Sequence, residues 1–208
     1  MKILVTAGPT REMIDEVRFL SNMSSGRTGY AIAEAAHDAG HEVNLVSGPV
    51  ALSPPIGLNT HQVVSARDML ATVSALFESH DALIMTAAVC DYRPAMRREG
   101  KVKKAEGNWA LDLVRNPDIL ATVGNEKGRR VLIGFALEVD RAVEYARGKL
   151  EKKNLDLIVV NQPENFARGK SRFRFLTKDG LEPVMECDKR ELGEILVKRA
   201  EDFWGAAK

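Results

Sequence analysis

With 208 residues, 45% of them hydrophobic and 28% charged, the chain has the composition of a globular protein large enough for one substantial core. Lysine and arginine number 30 against 29 aspartates and glutamates, and a net charge of +1 excludes any global attraction to nucleic acid or to an anionic membrane. No apolar run approaches the roughly 18 residues of a membrane span, Gly8, Pro9 and Arg11 interrupt any signal-peptide core, and Cys90 and Cys187 lack metal-ligand spacing. The expectation is one cytoplasmic domain over residues 1–208, its thiols reduced, with neither nucleic acid nor membrane as a partner.

The elements follow in order. Residues 3–6 read as a short buried strand, and a long polar loop then leads to a helix over residues 30–39, ended by Gly40. Strands are predicted over 42–46 and 60–64, and Ser65 with Asp68 forms a capping pair that opens a helix to about residue 78. Residues 82–85 are apolar without alternation, the mark of a strand buried on both faces. Asn116-Pro117-Asp118 predicts a helix start with Asn116 as cap and Pro117 at the first position. Strands over 131–135 and 155–160 flank a helix over 141–152 capped by Asp140. Phe173 to Leu176, the turn at Asp179-Gly180 and residues 183–186 predict an antiparallel hairpin on the sheet edge, and Asp188 with Glu191 opens a final helix to about Trp204. Alternating strands and helices imply an α/β, three-layer, Rossmann-like fold, with a mostly parallel sheet covered on both faces. Residues 91–113, rich in charge and poor in apolar periodicity, interrupt that rhythm and predict a protruding β arm or flap, with Glu106-Gly107-Asn108 near its tip.

Three stretches bear chemistry. The first runs from Thr6 to Gly29, where strand, long loop, Ser24-Ser25-Gly26 and a helix start would bring backbone N–H groups against an anion. Gly8 stands alone before Pro9, so the G-x-G-x-x-G dinucleotide pattern is missing, and the loop reads as one that wraps a phosphorylated substrate through Asn22, Ser24 and Ser25. The second is Lys101-Val102-Lys103-Lys104. In a strand, Lys101 and Lys103 would share a face, either as a solvated edge or as ammonium groups gripping polyphosphate on a flap that closes. The third is the pair Lys149 and Lys153, one helical turn apart, on a helix end that favours lysines through its dipole in any case. Tyr145 and Lys149 also fit the Y-x-x-x-K pattern of a nicotinamide oxidoreductase of Rossmann type, but the second strand ends Leu45-Val46-Ser47-Gly48, without an acid for a ribose. His37, His41, His61 and His80 are scattered at element ends and read as structural. With no zinc set and no nucleophile elbow, lysines, amides and hydroxyls point to electrostatic catalysis of transfer at phosphorus.

The stretches TAGPTRE, RFLSNMSSG, LVSGP, AAVCDYRP, KVKK, VRNPDIL, GFALE and KNLDLIVVN, in this order, resemble phosphopantothenoylcysteine synthetase, in bacteria often the C-terminal half of a bifunctional enzyme of coenzyme A synthesis. Arg27 stands where SSG is commonly followed by lysine, and Cys90 where a small residue such as alanine is usual. The resemblance implies a two-step ligation in which 4′-phosphopantothenate is activated by a nucleoside triphosphate, CTP in bacterial members and ATP in others, and then joined to L-cysteine. The bacterial look of the motifs points to CTP, and no side-chain motif decides between the two. It assigns catalysis to Asn22 and Lys101, and binding of phosphopantothenate to Asn22, Arg18 and Lys103. Nucleotide contacts fall to Gly8, Ser24, Ser25, Gly26, Met85, Thr86, Ala87, Asp91, Lys101, Pro117, Asp118, Ile119, Leu120, Phe135, Lys149 and Lys153. Magnesium is implied through the triphosphate rather than a protein ligand set, and so is a homodimer whose arm reaches the partner's site. A phosphopantothenoylcysteine decarboxylase, fused or separate, is a further implied partner.

Overall fold

The chain enters its core with its first strand. In the computed structural model, which describes residues 1–104, 106–137, 142–161 and 170–207, β1 (Lys2–Ala7) is buried from Ile3 onward. The loop after it is not bare: β2 (Arg11–Met13) and β3 (Phe19–Ser21) pair as a small antiparallel hairpin. Next come α1 (Arg27–Asp38), β4 (Glu42–Ser47), β5 (Asn59–Gln62), α2 (Ala66–Phe77) and β6 (Ala82–Met85). The arm is rooted in β7 (Tyr92–Pro94) and β8 (Leu113–Arg115), and α3 (Ile119–Asn125) and β9 (Val131–Leu137) follow. The chain continues through α4 (Ala142–Lys152), β10 (Leu157–Asn161), β11 (Ser171–Thr177), β12 (Gly180–Leu181), β13 (Met185–Cys187) and α5 (Lys189–Ala206).

The main sheet runs β5-β4-β1-β6-β9-β10-β11-β12, with β13 beside β11. From β5 to β10 every pairing is parallel, and β11 to β13 add the expected antiparallel edge. The pleat sorts side chains by parity. Ile3 and Val5 of β1 pack with Ile32 of α1 and Leu192 and Leu196 of α5. Leu4, between them, faces Met69 and Val73 of α2, Val123 of α3 and Leu150 of α4. Helices therefore cover both faces, in three layers.

Local chemistry sets the helix ends. Ser65 with Asp68, and Asp188 with Glu191, each form the reciprocal capping box that the sequence predicts. The first helix begins at Arg27 rather than near Tyr30, because Gly26, at φ 79°, makes the left-handed turn that starts it without a side-chain cap. Gly29 has no room for a side chain: a Cβ there would lie 2.5 Å from both the Ala7 methyl and the Thr86 hydroxyl, so α1 sits directly on the end of β1.

Two expectations need correction. α3 is capped by Asp118, whose carboxylate accepts from the Ala121 N–H at 3.1 Å, and not by Asn116, whose amide is drawn instead to the Cys90 carbonyl at 2.8 Å; Pro117 therefore precedes the helix. Residues 101–104 form no strand, because the Val102 backbone bonds Asp15 and Arg18 rather than a neighbouring strand. The predicted cap Asp140 and the side chain of Tyr145 lie outside the described residues.

Candidate functional site

Strand order reverses between β1 and β6, the place where open parallel sheets usually leave a crevice. Here that crevice is stitched. The Thr86 hydroxyl donates to the Thr6 carbonyl at 2.7 Å, the Ala88 N–H to the Gly8 carbonyl at 2.9 Å, and Pro9 bridges Ala88 beyond the strand ends. The opening lies one strand further on, past the carboxyl ends of β6 and β9. It is a cavity of about 480 Å³, a size suited to a small ligand.

Four segments build its walls. Met85, Ala87, Val89, Cys90, Asp91 and Tyr92 follow β6, Arg115 to Leu120 join β8 to α3, and Phe135 and Lys153 come from β9 and the end of α4. Asn116 holds the first two together. Its N–H donates to the Asp91 carbonyl at 2.8 Å, its side-chain amide donates to the Cys90 carbonyl, and its side-chain oxygen accepts from Arg93 at 3.2 Å. Arg93 also donates to the Arg115 carbonyl, which fixes the root of the arm against the cavity. Asp118 does two jobs: one oxygen caps α3 and the other meets the Lys153 ammonium at 2.7 Å.

Acidic and basic groups of the lining balance: Asp91 and Asp118 against Arg115 and Lys153. Burial pushes the Cys90 thiol above its ordinary pKa, so it stays protonated and is no nucleophile at neutral pH.

Among the residues assigned to nucleotide, Met85, Ala87, Asp91, Pro117, Asp118, Ile119, Leu120, Phe135 and Lys153 line this cavity. Gly8, Ser24, Ser25, Gly26, Thr86 and Lys149 do not, and nor do Asn22, Arg18, Lys101 and Lys103. Thr86 is turned to β1 by its bond to Thr6. Gly8 and Gly26, both at positive φ, lie against each other beneath Val50 at the start of α1. Asn22 stands next to the cavity wall, its amide donating to the Ala88 carbonyl at 2.8 Å and reaching the Cys90 sulfur at 3.9 Å. Arg18 lies in the turn between β2 and β3, bonded to the Val102 carbonyl at 2.9 Å and stacked on Trp109 with its guanidinium 4.9 Å from the ring centre. Lys101 and Lys103 flank Val102 with exposed side chains.

The sequence reading missed Val89, Cys90, Tyr92, Arg115 and Asn116 as wall residues. All lie within AAVCDYRP or VRNPDIL, so the signal was the motif as a whole. Among the described residues no three His, Cys, Asp or Glu side chains gather to hold a metal ion, and no helix is long and apolar enough to cross a membrane. His61 and His80 are structural, both bonded to the Asn44 amide within the sheet.

A three-layer α/β sheet with a cavity of mixed polar and apolar lining beyond its carboxyl ends defines a protein of the Rossmann-like class. The family described as the DNA/pantothenate metabolism flavoprotein C-terminal domain matches residues 1–203, and the chain belongs to it. The chain is similar to the coenzyme A biosynthesis bifunctional protein CoaBC of Vibrio vulnificus strain YJ016, at 49% identity over 162 residues; that match takes in 76% of this chain but only 40% of the relative. A crystal structure of the C-terminal domain of a CoaBC protein superimposes with a TM-score of 0.84 at 43% identity, covering 99% of this chain and 96% of that one. The DNA/pantothenate metabolism flavoprotein from Streptococcus pneumoniae has the same fold, with a TM-score of 0.87, 30% identity and coverage of 98% and 99%.

Proposed function

We propose that this chain is a phosphopantothenate–cysteine ligase that uses CTP. The observation carrying the reading is the cavity, which gathers Met85, Ala87, Asp91, Phe135, Lys153 and the Pro117 to Leu120 turn, more than half of the residues that the family resemblance assigns to nucleotide. The match to a protein of coenzyme A biosynthesis supports it.

In the first step a carboxylate oxygen of 4′-phosphopantothenate attacks the α-phosphorus of CTP. The bond to pyrophosphate breaks, and an acyl-cytidylate forms. Lys153 and Arg115 supply cations from the cavity lining, and Lys101, carried on the arm, neutralises the α-phosphate as pyrophosphate leaves. In the second step the amine of L-cysteine attacks the acyl carbon, the bond to CMP breaks, and the amine gives up a proton. Asn22 serves here: its contact to the Cys90 sulfur at 3.9 Å is weak, and an acyl oxygen developing negative charge replaces it as the better acceptor. Magnesium fits as an ion held mainly by triphosphate oxygens, since it needs few protein carboxylates and Asp91 is at hand in the cavity wall.

The active species is a homodimer. Val17 on the first loop and Met96 and Trp109 on the arm are exposed by 59%, 65% and 50%, an apolar surface suited to a second copy. A decarboxylase, fused or separate, supplies the partner activity, and the reaction belongs to the cytoplasm.

The test is pyrophosphate release from each of the four nucleoside triphosphates with phosphopantothenate, followed by addition of cysteine. CTP is expected to give the strongest release, and cysteine the amide product and CMP. Binding of NADPH without pyrophosphate release from any nucleotide overturns the reading in favour of an oxidoreductase.

A further inference from the structure

Asp15 is fully buried and lies outside the cavity, yet its carboxylate is the most heavily bonded side chain of the first loop. One oxygen accepts from the Val17 and Arg18 N–H groups, each at 2.8 Å. The other accepts two bonds from the Arg18 guanidinium, one through Nε at 3.0 Å, and one from the Val102 N–H at 3.1 Å. Arg18 completes the ring by donating to the Val102 carbonyl at 2.9 Å, and nearby the Arg98 N–H donates to the Ile14 carbonyl at 2.9 Å. Burial disfavours the charge, but the bonds from Val17, Arg18 and Val102 outweigh it and hold the carboxyl well below the usual carboxylate range. A buried carboxylate is tolerated only when so satisfied.

The consequence is geometric. Both backbone groups of Val102 are spent on Asp15 and Arg18. The Cα atoms of Lys101 and Lys103 each lie one peptide from that fixed point, about 3.8 Å away. On the other side, the chain runs from Arg18 through β3 to Asn22, which is tied to the Ala88 carbonyl beside the cavity. One side chain thus joins the segment bearing Asn22 to the segment bearing Lys101, within the same chain.

We propose that Asp15 is a positioning residue of the ligation: it touches no substrate, and it fixes the arm that carries Lys101 by clamping it to the first loop of the same chain. The proposal rests on the ligase reading and deepens it. A misplacement of about 1 Å in a reacting group can cost about a hundredfold in rate, so the clamp acts on turnover rather than on nucleotide affinity.

The experiment is a double-mutant comparison on the full chain. Pyrophosphate release without cysteine is measured for wild type, Asp15→Asn, Lys101→Gln and the pair, alongside CTP affinity by calorimetry and tryptic cleavage after Lys101, Lys103 and Lys104. Asp15→Asn is expected to slow release by about 10- to 100-fold, with CTP affinity held within about twofold and arm cleavage faster. In the Lys101→Gln background it is expected to add no further loss, because its effect is routed through Lys101. A further loss of the same factor in that background overturns the proposal, as does a parallel fall in CTP affinity. If Asp15→Asn does not fold, Val102→Pro removes the arm's N–H donor while leaving Asp15 and Arg18 in place, and the same comparison decides. Wild type that releases no pyrophosphate sinks the ligase reading, and the proposal with it. An active wild type with multiplicative losses sinks the proposal alone.

Discussion

The cavity and the loop–arm clamp are built on opposite principles. The cavity is the rim of a sheet whose strands are packed on both faces, so its walls inherit their positions from side chains such as Ile84 and Ile133, which have no exposure at all. The clamp has little hydrophobic support. Met96 is largely exposed and Trp109 half-exposed, and what holds the arm to the first loop is one buried carboxylate with its donors, joined by the Arg98–Ile14 backbone bond and the stacking of Arg18 on Trp109. The lesson is a division of labour: packing places the cavity, and hydrogen bonding places the arm and the first loop beside it. Lesions in the clamp should therefore cost catalysis, and lesions in the frame should cost stability.

The largest effect tests the catalytic side. Lys101→Gln is expected to lower pyrophosphate release in the absence of cysteine by about 10²- to 10³-fold, the scale of losing one charge-stabilising group, with the melting temperature unchanged. Asn22→Ala is expected to abolish amide formation by a similar factor while CTP still binds, as read by calorimetry and by product formation. Lost CTP affinity with normal turnover would move Asn22 out of the chemistry and into the pocket. On the frame side, Gly29→Ala forces a methyl to within 2.5 Å of Ala7 and Thr86, and is expected to cost about 1–3 kcal/mol of stability as overpacking does, measured by urea unfolding. Retained stability would show that α1 can shift off β1, and that the frame is softer than its packing suggests.

The smallest effect is a pH dependence. Burial lowers the His80 pKa below its ordinary 6.5, outweighing the Leu76 carbonyl bond and the nearby Glu42 charge, both of which favour the protonated form. The folded state therefore prefers neutral His80. Its contribution is complete above pH 6.5 and is lost as pH falls from there through the lower folded value, because the unfolded chain takes up the proton first. Urea midpoints between pH 7.5 and 5 should decline, and His80→Gln should flatten that decline while leaving pyrophosphate release intact.

Much of the frame was legible because its signals are local. The unbroken apolar run of β6 and the Ser65–Asp68 and Asp188–Glu191 boxes name their own structures. Asn116 was misread for an instructive reason. An Asn before a proline is a good cap in isolation, but its amide is claimed by Cys90, 26 positions away, and no local rule contains that partner. Lys101 to Lys104 failed in the same way: alternation assumes a neighbouring strand, and Asp15, at a separation of 87, took the Val102 N–H instead. Of the residues assigned to nucleotide, Met85, Phe135 and those of the α3 turn line the cavity, whereas Arg115 and Tyr92 line it without having been assigned, because their place in the wall depends on how β7 and β8 fold the arm's root across the cavity.

Asp118 divides its two oxygens between helix and lysine, and this has a bearing on how the wall of the cavity can respond to a ligand. A polyanion that draws Lys153 toward itself removes the partner of one oxygen only. The other still holds the first turn of α3 through Ala121. The cavity wall can thus surrender a cation to a guest without fraying α3.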